Sequence, residues 1–135
     1  MDILQKSKNN QRRIGLTGGI ASGKTTITNY IRKHKNIPIL DADNLSRELI
    51  KPNTYGYKKI LDYFGNKIID NKNNSEREIN RKLLRNIIFK HSASKEWIEK
   101  LLHPLIKERM IEECSQYRNN QTIVLVIPLL FEAKF

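Results

Sequence analysis

One glycine-rich stretch carries residues whose types and spacing could do chemistry. Residues 13–26 read RIGLTGGIASGKTT, in which Gly18, Gly23, Lys24 and Thr25 match the phosphate-binding pattern G-x-x-x-x-G-K-[ST]. Glycines let successive backbone N–H groups point into one concavity, and the helix that follows adds its unpaired N-terminal N–H groups. The pattern therefore predicts a site for the phosphates of a nucleoside triphosphate.

The side chains of this loop have separate expected roles. Lys24 is placed to reach the β- and γ-phosphates of ATP, and the Thr25 hydroxyl is placed to ligate Mg²⁺. Nucleotide contacts are expected from the whole loop and the first helical turn, namely Gly18, Gly19, Ile20, Ala21, Ser22, Gly23, Lys24, Thr25 and Thr26. The alternative is a glycine-rich turn with a solvated lysine. It is disfavoured because an apolar strand precedes the loop and a helical stretch follows it.

Two aspartates follow the next apolar segment. Residues 37–40 form a short apolar run that includes one proline, and the segment with Asp41 and Asp43 comes directly after them. Ligands of parallel α/β sheets bind outside the carboxyl ends of the strands, so these carboxylates are expected beside the phosphate loop. Alternate residues at a strand end point in opposite directions, so at most one of the two is expected to face the phosphates. The structural alternative is that Asp43 caps the helix that follows it.

Composition and charge limit the class of protein. The chain has 135 residues, of which 39% are hydrophobic and 29% charged, and this is typical of a single globular domain. Lys and Arg outnumber Asp and Glu by 25 to 14, which gives a formal net charge of +11. The cations are scattered without interleaved aromatic residues, and this disfavours nucleic acid as a partner. ATP and a second anionic small molecule are the partners that remain.

Several absences in the sequence bear on location. No apolar run approaches the ~20 residues that span a bilayer, and the polar start has no apolar signal segment. The single cysteine, Cys114, offers no disulfide framework and fits a reducing compartment. Together these features predict a cytoplasmic protein without a membrane partner.

Helical periodicity predicts most of the middle of the chain. Apolar residues recur at helical spacing over residues 57–64, and Gly65 is expected to close this helix in the left-handed conformation. Ser75 and the residues after it read as a capping box, which opens a helix whose apolar stripe starts at Ile79. The aromatic residues and Met110 are expected in the core rather than in a ligand site.

A later helical stretch, over about residues 97–111, contains Pro104. A proline there predicts either a kink or a restart of the helix with Pro104 in its first turn. His103, just before it, faces either a ligand or the core; the two interpretations are about equally favoured.

The last strand completes the prediction of the fold class. Residues 122–127 form a continuous apolar run, typical of a parallel strand buried on both faces. No aspartate ends it, so Asp41 and Asp43 or water would have to complete the Mg²⁺ shell. We predict an α/β fold of the P-loop NTPase type, with a parallel sheet and flanking helices. Residues 1–12 are expected to form a polar tail.

Five motifs in order resemble the dephospho-CoA kinase family. They are IGLTGGIASGKTT, ILDADNLSREL, EINRKLLRNIIF, LLHPLI and VIPLLFE, and the match extends over about residues 13–132. The resemblance implies a kinase that phosphorylates the ribose 3′-hydroxyl of dephospho-CoA with MgATP to give coenzyme A. It also implies a core formed by residues 13–51 and 115–135, with a helical substrate-binding insertion over about residues 52–114.

The resemblance implies roles for individual residues. Asp43 would act as the base toward the 3′-hydroxyl, together with Lys24 as the second catalytic residue. Arg47, Arg81 and His103 lie in matching motifs and would contact or shape the dephospho-CoA site.

Members of this family usually continue well beyond the last of these motifs. The part not present here would hold further core strands and a lid helix. Without it, the three remaining strands are expected in the order 2-3-1, with the first strand at an unprotected edge. The chain is therefore expected to be truncated, to bind nucleotide, and to transfer phosphate slowly. Two alternatives stay open: another small-molecule kinase acting on a nucleoside or nucleotide, and an inactive nucleotide-binding remnant. A GTPase is disfavoured because the sequence has no N-K-x-D motif.

Overall fold

The computed structural model of the 135-residue chain describes residues 11–17, 24–34, 37–70, 77–117 and 121–127. Strand and helix alternate at the start of the chain, as an α/β fold requires, and further helices come before the last strand. The strands are β1 (Arg12–Leu16), β2 (Ile39–Asp41) and β3 (Thr122–Val126). The helices are α1 (Lys24–His34), α2 (Ala42–Leu49), α3 (Tyr55–Phe64), α4 (Arg81–Lys90) and α5 (Ser92–Ser115), with a 3₁₀ turn at Asn66–Ile68.

The chain forms two compact units. The first unit consists of Met1–Leu45 and Ile106–Phe135, and the second unit consists of Ser46–Leu105. The boundaries between the two units fall inside α2 and α5. Each lies earlier in the chain than the corresponding end of the expected insertion, which was about residues 52–114. That the second unit binds the substrate stays a prediction.

A parallel sheet organises the first unit. β3 lies between β1 and β2 and pairs in parallel with both, which confirms the predicted order and the parallel sheet. Every residue of β3 after Thr122 is buried, as a central strand covered on both faces requires. β1 lies at one edge of the sheet described here and leaves Ile14 half exposed.

The start of β1 includes residues that we expected in the polar tail. Gln11 is only 3% exposed. Its Nε2 donates to the carbonyl oxygen of Cys114 (2.8 Å), and its Oε1 accepts from Nε of Arg13 (3.0 Å). A buried amide that uses both its donor and its acceptor links the beginning of β1 to the end of α5. The expected tail therefore extended too far, because Gln11 and Arg12 belong to the folded first unit.

The ends of α3 depend on one hydroxyl and one glycine. The Thr54 hydroxyl accepts from the backbone N–H of Tyr57 (3.2 Å) at the start of the helix. At the other end, the N–H of Gly65 donates to the carbonyl oxygen of Leu61 (2.8 Å). Gly65 has φ 81° and ψ −179°. This backbone conformation is nearly restricted to glycine, but it is not the left-handed helical conformation that we predicted.

The start of α4 corrects another prediction. Ile79 forms an antiparallel bridge with Ile69, so it is extended backbone and not the first residue of a helical stripe. The helix begins at Arg81, where the Asn80 side chain accepts from the N–H of Leu83 (3.0 Å). The predicted helix start at the capping box is therefore wrong by several residues, and Ser75 itself lies outside the described residues. Pairing with Ile69 outweighs the local capping signal.

Two further expectations are settled by the helices. α5 passes through Pro104 without ending, so the predicted restart is wrong; Pro104 is exposed, where water can bond the carbonyl group that loses its helical donor. Met110 is fully buried, as predicted. The prediction that the aromatic residues lie in the core holds for Tyr57 and Phe64. It is wrong for four others, which are exposed: Tyr30, Tyr55, Tyr63 and Phe89.

Within the described ranges, no helix has both the length and the apolar composition needed to cross a membrane.

Replacing Asn80 tests the observed start of α4. Asn80→Ala should lower the free energy of unfolding by about 1 kcal/mol, because the N–H of Leu83 loses its acceptor. Urea denaturation followed by circular dichroism measures the change. Asn86→Ala, at an exposed position inside the same helix, is the matched control and should be neutral or slightly stabilising. Equal losses in the two variants would contradict the capping role.

The thiol of Cys114 provides a test of the packing at the end of α5. Cys114 is fully buried, and burial raises the pKa of its thiol, with Arg13 opposing and Glu113 adding to the shift. Because the thiolate is the reactive form, we expect much slower alkylation in the folded chain than in urea. A folded pKa above the unfolded one favours the neutral thiol. The associated stability is present below the unfolded pKa and is lost as the pH rises through the folded pKa. Equal alkylation rates in the folded and unfolded chain would contradict this packing.

Candidate functional site

The sheet register brings two chain segments to the same level at one edge. Leu16 and Asp41, the last residues of β1 and β2, are both partners of Val126 in β3. Because neighbouring strands lie about 4.8 Å apart, the backbones of Leu16 and Asp41 are roughly 10 Å apart across the sheet. The N–H of Ile127 also donates to the carbonyl oxygen of Leu16 (3.0 Å), so pairing continues to the end of β1. All of these residues belong to the first unit.

The predicted phosphate loop connects β1 to α1. Residues 18–23, which hold Gly18 and Gly23, lie outside the described residues, as do the side chains of Lys24 and Thr25. The backbone of α1 begins at Lys24 and continues to His34, as the motif requires. The first turn of α1 contains no acidic residue, so no carboxylate of that turn neutralises the positive end of its dipole. Thr26, in the same turn, is exposed.

β2 turns into α2 without an intervening loop. Asp41 is the last residue of β2, and α2 begins at Ala42. The Oδ1 atom of Asp41 accepts from the N–H of Asp43 (2.9 Å), which is the bond of a helix N-cap. The capping role that we considered for Asp43 therefore belongs to Asp41, and Asp43 lies inside the first turn. Because Asp43 belongs to a helix, the expected alternation of side-chain direction along a strand does not apply to it.

This arrangement exposes Asp43 at the start of α2. Its side chain is exposed, and the backbone below it is fixed by the bond to Asp41. Asp43 also lies at the positive end of the α2 dipole, where a negative side chain stabilises the helix. An accessible carboxylate at the carboxyl edge of a parallel sheet can accept a hydrogen bond from a bound hydroxyl group.

The three residues expected at the substrate site lie in the second unit. Arg47 is exposed in the last turn of α2, and Arg81 is exposed as the first residue of α4. His103 lies in the middle of α5 and is 7% exposed. Contact of these residues with a substrate stays a prediction. The burial of His103 agrees better with the structural interpretation that we left open for it.

Few described residues could hold a metal ion. The described residues contain no group of three or more His, Cys, Asp and Glu side chains arranged to bind one. Mg²⁺ commonly binds through one or two protein oxygens while phosphates and water complete its shell. The carboxylates of Asp41 and Asp43, at the carboxyl end of β2 and the start of α2, suit this mode of binding, as does the expected donor Thr25, whose side chain lies outside the described residues. They do not form a cage made of protein ligands alone.

The sequence analysis did not single out two residues of α4 that are exposed. Arg85 and Phe89 follow Arg81 at intervals of four, so the three lie on one face of the helix. Phe89 is 91% exposed, although we expected it in the core. The signal was available, because Leu84, Ile87 and Ile88 already supply the apolar stripe of this helix and leave Phe89 on the other side.

A family model covers nearly all of the chain. The model described as dephospho-CoA kinase matches residues 12–135. Among curated proteins, the chain is similar to the dephospho-CoA kinase of Prochlorococcus marinus strain MIT 9312. The two are 90% identical over 135 residues, which are 100% of this chain and 66% of that protein. The dephospho-CoA kinase of Vibrio vulnificus strain CMCP6 is 45% identical over 119 residues, which are 88% of this chain and 56% of that protein.

Solved structures share the fold. A crystal structure of a Thermus thermophilus protein superimposes with a TM-score of 0.69 at 26% identity, covering 90% of this chain and 58% of that one. The dephospho-CoA kinase from Campylobacter jejuni superimposes with a TM-score of 0.65 at 24% identity, covering 91% of this chain and 60% of that one. The chain spans about two thirds of the length of the Prochlorococcus marinus protein. From the family match over residues 12–135 and the 90% identity to that relative, we conclude that the chain belongs to the dephospho-CoA kinase family.

Proposed function

We propose that this chain transfers the γ-phosphoryl group of ATP to the ribose 3′-hydroxyl of dephospho-CoA, which gives coenzyme A. The observation that carries the proposal is the shared register of Leu16 and Asp41 on Val126. It brings the segment that enters the phosphate loop and the segment that presents Asp43 to one edge of the sheet. Family membership supports the choice of substrates, because relatives with the same motifs are named dephospho-CoA kinases.

The phosphate donor would bind at the start of α1. The backbone N–H groups of residues 18–23 and the first turn of α1 would surround the phosphates, and Lys24 would contact the β- and γ-phosphates. The absence of an acidic residue from that turn supports this, because a carboxylate there would repel the nucleotide. The Thr25 hydroxyl would hold Mg²⁺ together with phosphate oxygens, and the bound ion would neutralise phosphate charge.

Asp43 would orient the acceptor. Its carboxylate would accept a hydrogen bond from the 3′-hydroxyl of the ribose and take the proton late, since a loose phosphoryl-transfer transition state needs little activation of the nucleophile. The oxygen of the hydroxyl group then attacks the γ-phosphorus in line with the bond to the β-phosphate oxygen, and ADP leaves. Asp41 acts through the backbone: by accepting from the N–H of Asp43, it fixes where the first turn of α2 begins.

Three residues of the second unit are proposed to contribute to dephospho-CoA binding. Arg47 and Arg81 are exposed cations, which suits contact with the diphosphate of dephospho-CoA. His103 is buried, so it would act by supporting the shape of the site within α5 rather than by reaching the phosphates.

Lys24→Ala tests the donor site and the reaction together. Calorimetric titration with MgATP should show binding to the wild-type chain, and ADP release should depend on added dephospho-CoA rather than adenosine or AMP. The variant should lose both ATP affinity and rate, because the phosphates lose their cation. Lys33→Ala, at an exposed position in the last turn of the same helix, is the matched control and should behave as wild type. ADP release that depends on a different acceptor would overturn the proposal.

Substitutions of Asp43 and Asp41 distinguish the proposed catalytic base from the residue that caps α2. Asp43→Asn should lower the transfer rate by about 100-fold or more while ATP affinity changes little, because the amide cannot take the proton. Asp41→Ala should instead lower the free energy of unfolding by about 1 kcal/mol, because α2 loses its N-cap. Asp62→Asn, exposed on α3, is the control for loss of one negative charge. Equal losses of rate and ATP affinity in Asp43→Asn would indicate a metal-binding or folding role and contradict a role as the base.

A further inference from the structure

The outer side of α4 carries several cations around one aromatic side chain. Every charged residue of this ten-residue helix is basic. We call the surface formed by four exposed residues the Phe89 face; it consists of Lys82, Arg85, Phe89 and Lys90. The buried residue of the helix, Leu84, lies outside this face. The packing of α4 therefore does not require the Phe89 face.

Helical geometry places Phe89 among the cations. Successive residues of an α-helix are about 100° apart around its axis. Arg85 lies about 40° to one side of Phe89 and Lys82 about 20° to the other, with Lys90 beyond Lys82. Leu84 is roughly 140° away from Phe89, on the apolar side. The ring therefore projects from a surface that is basic on both sides of it.

No described part of the chain covers the Phe89 face. Phe89 is 91% exposed, and the ring contacts and the cation–π contact found among described residues do not involve it. The ion pairs described on α5 likewise do not include the cations of α4. A large apolar ring in water and like charges three residues apart are both unfavourable. A partner that accepts an apolar ring and cations together would relieve both costs.

An anionic lipid surface offers both interactions at one place. Each Lys or Arg near such a surface strengthens binding by roughly 5-fold, because the surface potential is negative. An aromatic ring gains further by leaving water for the boundary between the headgroups and the acyl chains. Three cations and one ring therefore suit reversible docking on a bilayer.

Other partners fit this face less well. A second copy of the chain would bring like charges together. A stable protein partner usually covers about 800 Å² on each side, whereas the outer side of a ten-residue helix is only about 15 Å long. Single-stranded nucleic acid is usually held by successive aromatic side chains, and this face has one ring. A fluid bilayer needs neither a large matching surface nor several rings.

We propose that the Phe89 face docks on a bilayer surface containing anionic phospholipids. The ring of Phe89 enters at the level of the headgroups, and Lys82, Arg85 and Lys90 bind the lipid phosphates. This inference goes beyond the proposed function and does not depend on it. Our expectation of no membrane partner rested on the lack of a segment able to span a bilayer, and docking on the surface requires no such segment.

Vesicle co-sedimentation of the full chain tests the inference. Vesicles of one part phosphatidylglycerol to two parts phosphatidylcholine should bind the wild-type chain, and vesicles of phosphatidylcholine alone should not. Phe89→Ala should weaken binding by about 10-fold or more, because no ring leaves water. Arg85→Gln and Lys82→Gln should each weaken it by roughly 5-fold. Raising the salt concentration from about 0.1 M to about 1 M should abolish binding, because the Debye length falls from about 10 Å to about 3 Å.

Matched variants separate this face from general basicity. Tyr55→Ala is the aromatic control and Lys67→Gln the cation control, since both positions are exposed in the same unit. Neither should change vesicle binding. Phe89→Trp, which keeps an aromatic ring, should bind as wild type. Because Phe89 is exposed, Phe89→Ala should leave the unfolding midpoint and the affinity for MgATP unchanged.

A fluorescent label locates the part of the chain that meets the lipid. Cys114 is the single cysteine and is buried, so a thiol-reactive dye added to folded Asn86→Cys attaches at position 86, beside Phe89. A polarity-sensitive dye there should shift to shorter wavelength with anionic vesicles. The same dye on Lys67→Cys should not shift.

Three outcomes would overturn the inference. The first is a wild-type chain that does not bind the anionic vesicles. The second is binding that Phe89→Ala, Arg85→Gln and Lys82→Gln all retain, because cations elsewhere on this chain of net charge +11 would then carry it. The third is a single-stranded oligonucleotide or an acidic peptide that binds through these three residues while the vesicles do not bind.

Discussion

Burial of β3 on both faces is the constraint on which the arrangement of the candidate site depends. A strand without a polar face must be covered above and below, and its backbone groups must pair on both sides. β1 and β2 satisfy that requirement in parallel, so both chain segments leave the sheet at the same edge. One of them continues toward α1, and the other turns at once into α2. The segment that leads to the predicted phosphate loop and the segment that leads to the aspartate pair end at one edge because a central apolar strand needs two partners.

The turn from β2 to α2 shows how a few atoms position a functional group. One carboxylate oxygen of Asp41 bonds the N–H of Asp43, and this bond stabilises the start of the helix. Asp43 is thereby held in a helical turn with an exposed side chain, instead of in a loop with many conformations. A carboxylate that accepts a hydrogen bond from a substrate benefits from such positioning, because less conformational freedom is lost when the substrate binds.

α4 breaks local rules that the rest of the chain follows. Its first turn carries Arg81 and Lys82 at the positive end of the dipole, and its outer side exposes Phe89. α2 obeys the same rules, with Asp43 in its first turn and Arg47 in its last. Tertiary packing and the Asn80 cap therefore outweigh the unfavourable charges at the start of α4, since Leu84 is buried and the N–H of Leu83 has its acceptor.

The amino-acid sequence was sufficient for the features that depend on neighbours along the chain. The apolar run of β3, the spacing of Gly18, Gly23 and Lys24, and the apolar stripe of α4 each follow from local pattern, whereas the strand order was predicted only with the help of the family resemblance. Contacts between distant residues decided the rest. Pairing with Ile69 kept Ile79 out of the helix, and the end of α5 drew Gln11 into the fold. The capping by Asp41 also required the folded chain, because pairing with β3 decides where β2 ends and α2 begins.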